Sequence, residues 1–159
     1  LARPGRYSQG GRIALDDAAT DRLLEPGSPP PRSWSPGLGR LRRLYGLRAP
    51  RLARPLRSAA NALVAVKACN QGFWRDDLLA VNGFDETMTG WGSEDKELCG
   101  RLENAGVRRQ TLLFAAIAWH LAHPPASRAA AEVNRARWKD TQRTHRTRCE
   151  AGIDRHLQA

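Results

Sequence analysis

The segment EPGSPPPRSWSPGLG, residues 25–39, constrains the fold most strongly because it holds five of the chain's ten prolines. Proline lacks a backbone donor and fixes φ, so such a cluster excludes both a helix and the interior of a sheet. We expect a mobile surface loop here. It would separate a short N-terminal strand and helix from the rest of the chain.

Hydrophobic periodicity on either side of this loop indicates alternating strands and helices. In chain order we expect a strand at 6–15, a helix at 18–24, a strand at 62–70, a short helix in 73–84 that Asn82-Gly83 ends, a helix at 94–104, one buried strand at 108–120 and a long polar helix at 127–152. This order is typical of an α/β fold.

The helix at 94–104 has the clearest start and stop signals. Ser93 is a favourable N-cap, and the acids that follow it suit the positive end of the helix dipole. Leu98 and Leu102 form an i, i+4 apolar stripe, and Asn-Ala-Gly at 104–106 is predicted to end the helix.

The formal net charge is +10, and the positive charge is concentrated. Seven arginines and no acid lie between residues 40 and 57, where Pro50 and Pro55 favour two short basic helices. Such a patch attracts nucleic acid, anionic headgroups or nucleotide phosphates. A solvated surface is the simpler explanation, and the intervening leucines fit core packing as well as a membrane surface.

No apolar run approaches the roughly 20 residues of a membrane span, and the first residues lack the zones of a signal peptide. We expect a soluble, cytoplasmic protein with at most peripheral contact at the anionic inner face of a membrane. Cys69, Cys99 and Cys149 form no CxxC pair. Their number and spacing favour reduced, partly buried thiols over disulfides or a zinc site.

Three features of the sequence could carry chemistry. Trp91 lies between two glycines, which allows its flat ring to be presented to a sugar. Glu94 and Asp95 are adjacent acids, of which one can bind a hydroxyl while the other takes its proton. His120 and His123 follow a strand, where α/β sheets usually place ligands, and a neutral imidazole there could bind a metal.

Each feature also has a simpler structural explanation. An acidic first turn is ordinary helix capping, the Trp could belong to the core, and a histidine at a strand end is more often hydrogen-bonded than a ligand. The His-x-x-His spacing also differs from the i, i+4 spacing that puts two ligands on one helix face.

The joint order of these features is more specific. The stretch ACNQGFWRDDLLAVNGFDETMTGWGSEDKELCGRLENAG, followed by a strand and WHLAH, resembles the C-terminal half of family 2-like and galactosyltransferase-type glycosyltransferases. The core of the resemblance is Gly-Trp-Gly-x-Glu-Asp, and it extends over roughly residues 60–125. It implies the C-terminal portion of a Rossmann-like GT-A fold without its N-terminal nucleotide-binding half.

By this resemblance Asp95 would be the catalytic base and Glu94 an acceptor-binding carboxylate. His120, or as second choice His123, would ligate Mn²⁺ or Mg²⁺. The remaining family positions would line the donor and acceptor pockets, and in this sequence they are Asn70, Asp85, Glu86, Trp91 and Gly92. The implied partners are a nucleotide-sugar donor and a glycan acceptor, with no specific nucleic acid.

The resemblance divides the chain into four expected regions: 1–24, the end of the nucleotide-binding half; 25–60, a Pro/Arg-rich loop with short basic helices; 61–125, the catalytic and acceptor region; and 126–159, a C-terminal helix. The sequence departs from the family at Lys96, where another acid is frequent, and it lacks the Asp-x-Asp that binds metal and nucleotide. Its opening reads as a chain entered midway, so we expect a fragment that is inactive alone.

Two other functions remain open at this point. A non-catalytic basic module that binds nucleic acid or anionic membrane would explain the arginines but leaves Gly90–Glu97 unexplained. A carbohydrate-binding domain could use Trp91 and the acids without catalysis.

Overall fold

The computed structural model describes residues 4–38, 46–51 and 65–157. Within these ranges the chain forms small sheets and helices, consistent with an α/β fold. The elements are β1 (Arg6–Gln9), β2 (Gly11–Ala14), α1 (Asp17–Leu24), β3 (Gln71–Gly72), α2 (Arg75–Ala80), α3 (Glu94–Asn104), β4 (Arg108–Thr111), β5 (Ile117–His120) and α4 (Ala131–Thr144), with 3₁₀ turns at Ala68–Asn70 and Ile153–His156.

Two parallel strand pairs form the centre of the fold. β1 pairs with β4 and also with β3, the latter antiparallel, while β2 pairs with β5. Only Gly10 separates β1 from β2, so the two pairs follow one another along the chain. The carboxyl ends of the parallel strands therefore point the same way within each pair, which is the edge where α/β proteins usually place ligands.

Asn70 fills the break between the two strand pairs. Its side-chain amide donates to the backbone oxygens of Gly11 and Ala116, at 2.8 and 3.3 Å. A Cβ added at Gly10 would lie 2.2 Å from Asn70 Nδ2, so a larger residue there would displace the Asn70 amide. In the structure Asn70 thus holds backbone groups together, and its predicted role in binding rests on the family resemblance alone.

Each strand pair has its own hydrophobic cluster. α3 covers the first cluster, which contains Tyr7, Val81, Leu98, Cys99, Leu102 and Val107, and α1 covers the second, which contains Ile13, Leu15, Ala19 and Leu38. Leu98 and Leu102 are both fully buried, which confirms the predicted apolar stripe. Each such leucine contributes about 2 kcal/mol through burial.

α3 begins and ends where the sequence predicts, but Ser93 does not cap it with its side chain. The backbone of Ser93 is left-handed, at φ 64°, whereas an N-cap side chain reaches the first turn from an extended conformation. The first turn is instead closed by the Glu97 N–H, which donates to the Ser93 carbonyl. The helix stops beside Gly106, at φ +86°.

The predicted strand at 62–70 is wrong in its described part, since Ala68–Asn70 forms a 3₁₀ turn. The reason is the buried side chain of Gln9. Its amide oxygen accepts the Lys67 N–H at 3.0 Å, and its amide nitrogen donates to the carbonyls of Lys67 and Asn70. These backbone groups are satisfied without a strand partner.

The predicted single strand at 108–120 is two strands, β4 and β5, because residues 112–116 form a tight turn. The N–H groups of Ala115 and Ala116 both donate to the Leu112 carbonyl, and Phe114 has φ 65°. Neither glycine nor proline marks this turn, so hydrophobic periodicity did not reveal it.

The predicted long C-terminal helix is too long. α4 ends at Thr144, and His145 turns the chain with φ 53°. The following residues return to the loop after α2, where the Asn82 side chain donates to the Cys149 carbonyl and the Glu86 N–H donates to the Ala151 carbonyl. Tertiary hydrogen bonds therefore replace helical ones at this point.

The proline-rich segment has neither helix nor regular strand from 25 to 38, as predicted, but buried Leu38 and a bridge to Leu15 attach its end to the core. Most of the predicted basic helices at 40–57 lie outside the described residues. None of the helices in the described ranges has the length and apolarity of a membrane span.

All three cysteines are free thiols, as expected. Cys99 and Cys149 are buried, whereas Cys69 is exposed, contrary to the expectation of partial burial.

Candidate functional site

Asp95 lies in the first turn of α3 and is half-buried. One carboxylate oxygen, Oδ2, accepts the Ala68 N–H at 3.2 Å, and the other, Oδ1, accepts the Lys96 N–H at 2.8 Å. The acid is thus fixed between the start of the helix and the turn that follows residue 67. A carboxylate held by two backbone donors keeps its orientation, as a general base requires.

Two effects raise the pKa of Asp95 above its ordinary value. Burial is the larger, because it disfavours the charged form, and the neighbouring Glu94 carboxylate adds repulsion. The N–H groups of Lys96 and Ala68 and the charge of Lys67 partly oppose this rise. A carboxylate with a raised pKa is a stronger proton acceptor than an exposed aspartate.

The raised pKa predicts a pH-dependent difference in stability between the wild type and Asp95→Asn. Because the pKa of Asp95 is raised by folding, its protonated form stabilises the folded state. This stabilisation is present at low pH and is lost as the pH rises through the pKa that Asp95 has in the folded protein. Asparagine stays neutral at all pH values. The free energy of unfolding of Asp95→Asn, minus that of the wild type, should therefore increase from acidic to neutral pH, as measured by urea denaturation.

Asp76→Asn is the matched control for this measurement, because the Asp76 side chain is 97% exposed on α2. The difference in the free energy of unfolding between Asp76→Asn and the wild type should change much less over the same pH range. If the difference in the free energy of unfolding between Asp95→Asn and the wild type does not change with pH, the pKa of Asp95 is not raised by folding.

Glu94 is also half-buried, and its Oε2 accepts the Gly92 N–H at 3.1 Å. This bond ties the acid to the loop that carries Trp91. Gly92 has φ +124°, and a Cβ added there would lie 3.3 Å from Ala131 Cα. Glycine is therefore required by the backbone conformation and by the close approach of α4, which holds the loop over the helix start.

The Trp91 ring is presented to solvent as the sequence predicted, with 46% of the residue exposed. The Arg128 guanidinium carbon lies 5.0 Å from the ring centroid, which places a cation against the aromatic face. Trp91 is therefore an exposed ring with an arginine against one of its faces.

Asp85 and Glu86 have partners of their own. Buried Asp85 accepts from the backbone and the hydroxyl of Thr87, at 3.0 and 2.6 Å, and lies 3.8 Å from Arg146. Glu86 bonds to His156 at 2.5 Å. In the structure these contacts shape the turn at 85–87 and its junction with the C-terminal segment. The predicted contribution of both acids to the acceptor side stays a prediction.

His120 ends β5, and its Nε2 lies 3.1 Å from Nε2 of His123. Burial is the first cause that lowers the pKa of His120, followed by the charges of Arg12 and His123, so the neutral imidazole is favoured. Among the described residues, no group of three or more His, Cys, Asp or Glu side chains is placed to hold a metal. The described part of the chain therefore offers a histidine pair without a carboxylate partner.

Residues 63–124 match a family model described as the N-terminal domain of galactosyltransferase. The match supports a glycosyltransferase-like domain that includes every predicted site residue. It indicates glycosyl transfer at a general level, with a sugar donor and an acceptor as partners. The description names an N-terminal domain, whereas the resemblance in the sequence was to a C-terminal half. No curated protein and no solved structure matches the chain.

A buried ion pair on α3, the helix that carries the candidate residues Glu94 and Asp95, was not predicted from the sequence. Arg101 and Glu97 are both fully buried on α3, and the Arg101 Nε lies 2.9 Å from each Glu97 oxygen. Arg101 also donates to the carbonyls of Val81 and Gly83, and Glu97 accepts from Thr141. The i, i+4 spacing of the pair was the available signal. Such spacing is usually read as a surface pair, which concealed its role.

Proposed function

We propose that this chain carries the general base and acceptor-binding part of an inverting glycosyltransferase of the GT-A type. The donor is a nucleotide-sugar, and the acceptor is a hydroxyl of a saccharide or glycan. The observation that carries the proposal is Asp95: a half-buried carboxylate with a raised pKa, fixed by two backbone N–H groups inside the segment that matches the galactosyltransferase family.

In the proposed reaction the acceptor hydroxyl oxygen attacks the anomeric carbon of the donor. The bond between that carbon and the nucleotide diphosphate breaks in the same displacement, and the diphosphate leaves with the bonding electrons. The hydroxyl proton passes to Asp95. A single displacement from the opposite face inverts the anomeric configuration.

Glu94 and Trp91 would orient the acceptor. Glu94 is tied to the Trp91 loop through the Gly92 N–H, so the carboxylate and the ring keep a fixed relation. Stacking on the ring and a hydrogen bond to Glu94 would hold one hydroxyl near Asp95, and such positioning accounts for a large share of the catalysis in two-substrate reactions.

Mn²⁺ or Mg²⁺ is part of the proposal, with His120 as a ligand and His123 as the alternative. When bound, the ion would neutralise the departing diphosphate. Both ions prefer oxygen ligands, and among the described residues none adds a carboxylate to the histidine pair. The described residues alone therefore do not form the complete site, and no step of the proposed reaction depends on the ion.

The proposal predicts sugar transfer by the protein produced at its natural length. It would be incubated with a panel of nucleotide-sugars, Mn²⁺ and saccharide acceptors, and the product would be examined by NMR. We expect one donor to react and the new glycosidic bond to have the anomeric configuration opposite to that of the donor.

A reaction without acceptor is the control, and it separates transfer from hydrolysis. A product with retained configuration would reject the inverting mechanism. Saccharide binding without any transfer or nucleotide-sugar hydrolysis would instead support a non-catalytic carbohydrate-binding domain.

A further inference from the structure

A groove of about 670 Å³ runs along the outer side of α3, between that helix, α4 and the first residues of β1 and β4. Its size lies within the range of small-molecule binding sites. The lining residues on which the following steps depend are Arg6, Lys96, Glu103, Arg108, Trp138 and Gln142.

The groove is strongly cationic. Four basic side chains line it, those of Arg6, Lys96, Arg108 and Arg109, against a single carboxylate, Glu103. That acid already has a hydrogen-bond partner within the fold, since the hydroxyl of Tyr7 donates to Glu103 at 2.7 Å. Among the described residues, no carboxylate lies within ion-pair distance of Arg6, Lys96 or Arg108. Their charges are available to an anionic ligand.

The groove also offers the groups that saccharides use. Trp138 forms part of its wall, with the Lys96 ammonium 4.8 Å from the ring centroid, and Gln142 adds an amide one helical turn further along α4. An aromatic side chain, an amide and several cations in one concave site match a sugar chain that carries negative groups. Duplex DNA or a membrane surface would instead favour a flat or convex basic face.

One end of the groove lies next to the candidate base. Lys96 follows Asp95 directly, and Ala65 and Val66, which line the groove, lead to the Ala68 N–H that Asp95 accepts. From Lys96 to Glu103 the helix advances seven residues, or about 10 Å. A bound chain could thus extend along α3 and present its end near Asp95.

We propose that this groove binds an acidic saccharide chain through Arg6, Arg108 and Lys96. The inference rests on the proposed function in one respect. If the protein is a glycosyltransferase, the saccharide bound in the groove is its acceptor, and the enzyme prefers acidic glycans. Arg6 and Arg108 hold its far end, at the starts of the two parallel strands, and Lys96 holds the end next to Asp95.

Calorimetric titration of the full chain with the acidic tetrasaccharide tetragalacturonate tests binding in the groove. Neutral maltotetraose, which has the same number of sugar units, is the control ligand. Wild type should bind the acidic chain and not the neutral one. Arg6→Gln/Arg108→Gln should weaken binding by about tenfold or more, because charge-assisted hydrogen bonds are lost. Raising the salt concentration should also weaken binding.

Arg75→Gln/Arg155→Gln is the matched control, since both arginines are exposed and neither lines the groove. It removes the same charge and should bind like the wild type. Equal losses in the two double variants would overturn the assignment, and so would equal binding of the two saccharides. Binding of duplex DNA or anionic vesicles through Arg6 and Arg108, without tetragalacturonate binding, would overturn it in favour of that ligand.

These titrations contain no donor, so their outcome is independent of catalysis. If the wild type binds tetragalacturonate but transfers no sugar, the proposed function is wrong and the groove assignment still holds. If the wild type does not bind tetragalacturonate, the groove assignment is wrong, even if the protein transfers sugar.

Discussion

Asp95→Asn is expected to lower the turnover of sugar transfer by about 10²- to 10⁴-fold, the range that a positioned general base contributes. Asparagine keeps the shape of the side chain and one acceptor oxygen, which can serve one of the two N–H groups of Ala68 and Lys96, but it cannot take the hydroxyl proton. The donor's binding constant should change little, because the substitution acts on the acceptor side. Steady-state kinetics and nucleotide binding together measure both quantities.

The pH profile distinguishes loss of a base from loss of structure. In the wild type, kcat/KM should rise with pH through the pKa of Asp95, and this rise should lie above the range of an ordinary aspartate because burial and Glu94 raise that pKa. In Asp95→Asn the residual activity should lack this rise. An unchanged profile would mean that another group titrates.

Glu94→Gln is the informative comparison. It keeps a side-chain oxygen that can accept the Gly92 N–H but removes the charge that would bind an acceptor hydroxyl. It should therefore raise the KM for the acceptor more than it lowers turnover.

Asp76→Asn, on the exposed surface of α2, is the control and should behave as the wild type in both assays. If Asp95→Asn retains full turnover, Asp95 is not the base.

Arg101→Met is expected to lower the free energy of unfolding by about 3–5 kcal/mol, the usual result of removing one partner of a buried ion pair. The guanidinium is fully buried, bonds to both Glu97 oxygens and donates to the carbonyls of Val81 and Gly83. Its loss leaves the two carbonyls without this donor and removes the main cation from Glu97. Urea denaturation measures the change.

Arg143→Met is the matched control, because Arg143 pairs with Asp140 on the surface of α4, with 75% of the arginine side chain exposed. An exposed pair contributes about 0–1 kcal/mol. The double variant Glu97→Met/Arg101→Met should lose less than the sum of its single variants, since it leaves no buried charge without its partner. Equal effects of Arg101→Met and Arg143→Met would contradict a structural role for the buried pair.

This network also anchors α3, the helix whose first turn carries Glu94 and Asp95. Glu97 additionally bonds to Thr141 and Arg146, and Arg146 approaches Asp85. The network therefore connects α3 with α4 and with the loop at 81–85, and it begins two residues after Asp95. We expect stability and catalysis to be coupled through it, so activity of Arg101→Met should be measured well below its unfolding midpoint.

Local pattern was sufficient for much of the fold. The spacing of Leu98 and Leu102 predicted the buried face of α3, Asn-Ala-Gly predicted its end, and Asn82-Gly83, both with positive φ in the structure, marked the end of the segment containing α2. These signals are carried by residues close in sequence, whose side chains and backbone preferences act over one or two helical turns.

The errors arose where distant residues satisfy the backbone. Gln9 replaces a strand partner for Lys67 and Asn70, a left-handed Phe114 divides one apolar run into two strands, and a left-handed Ser93 turns the chain without capping it. No local preference of these residues favours such conformations. They hold only because tertiary packing and hydrogen bonds compensate for them.

The sequence by itself determined the α/β class and the presence of Trp91, Glu94 and Asp95 at a helix start, because periodicity and motif order are local properties. Tertiary structure decided what each group can do. It buried Asp95 beside Glu94 and so raised its pKa, engaged Asp85 and Asn70 with partners of their own, and aligned basic residues from three separate elements along one groove. Burial and charge proximity depend on residues far apart in the chain, and only the folded arrangement brings them together.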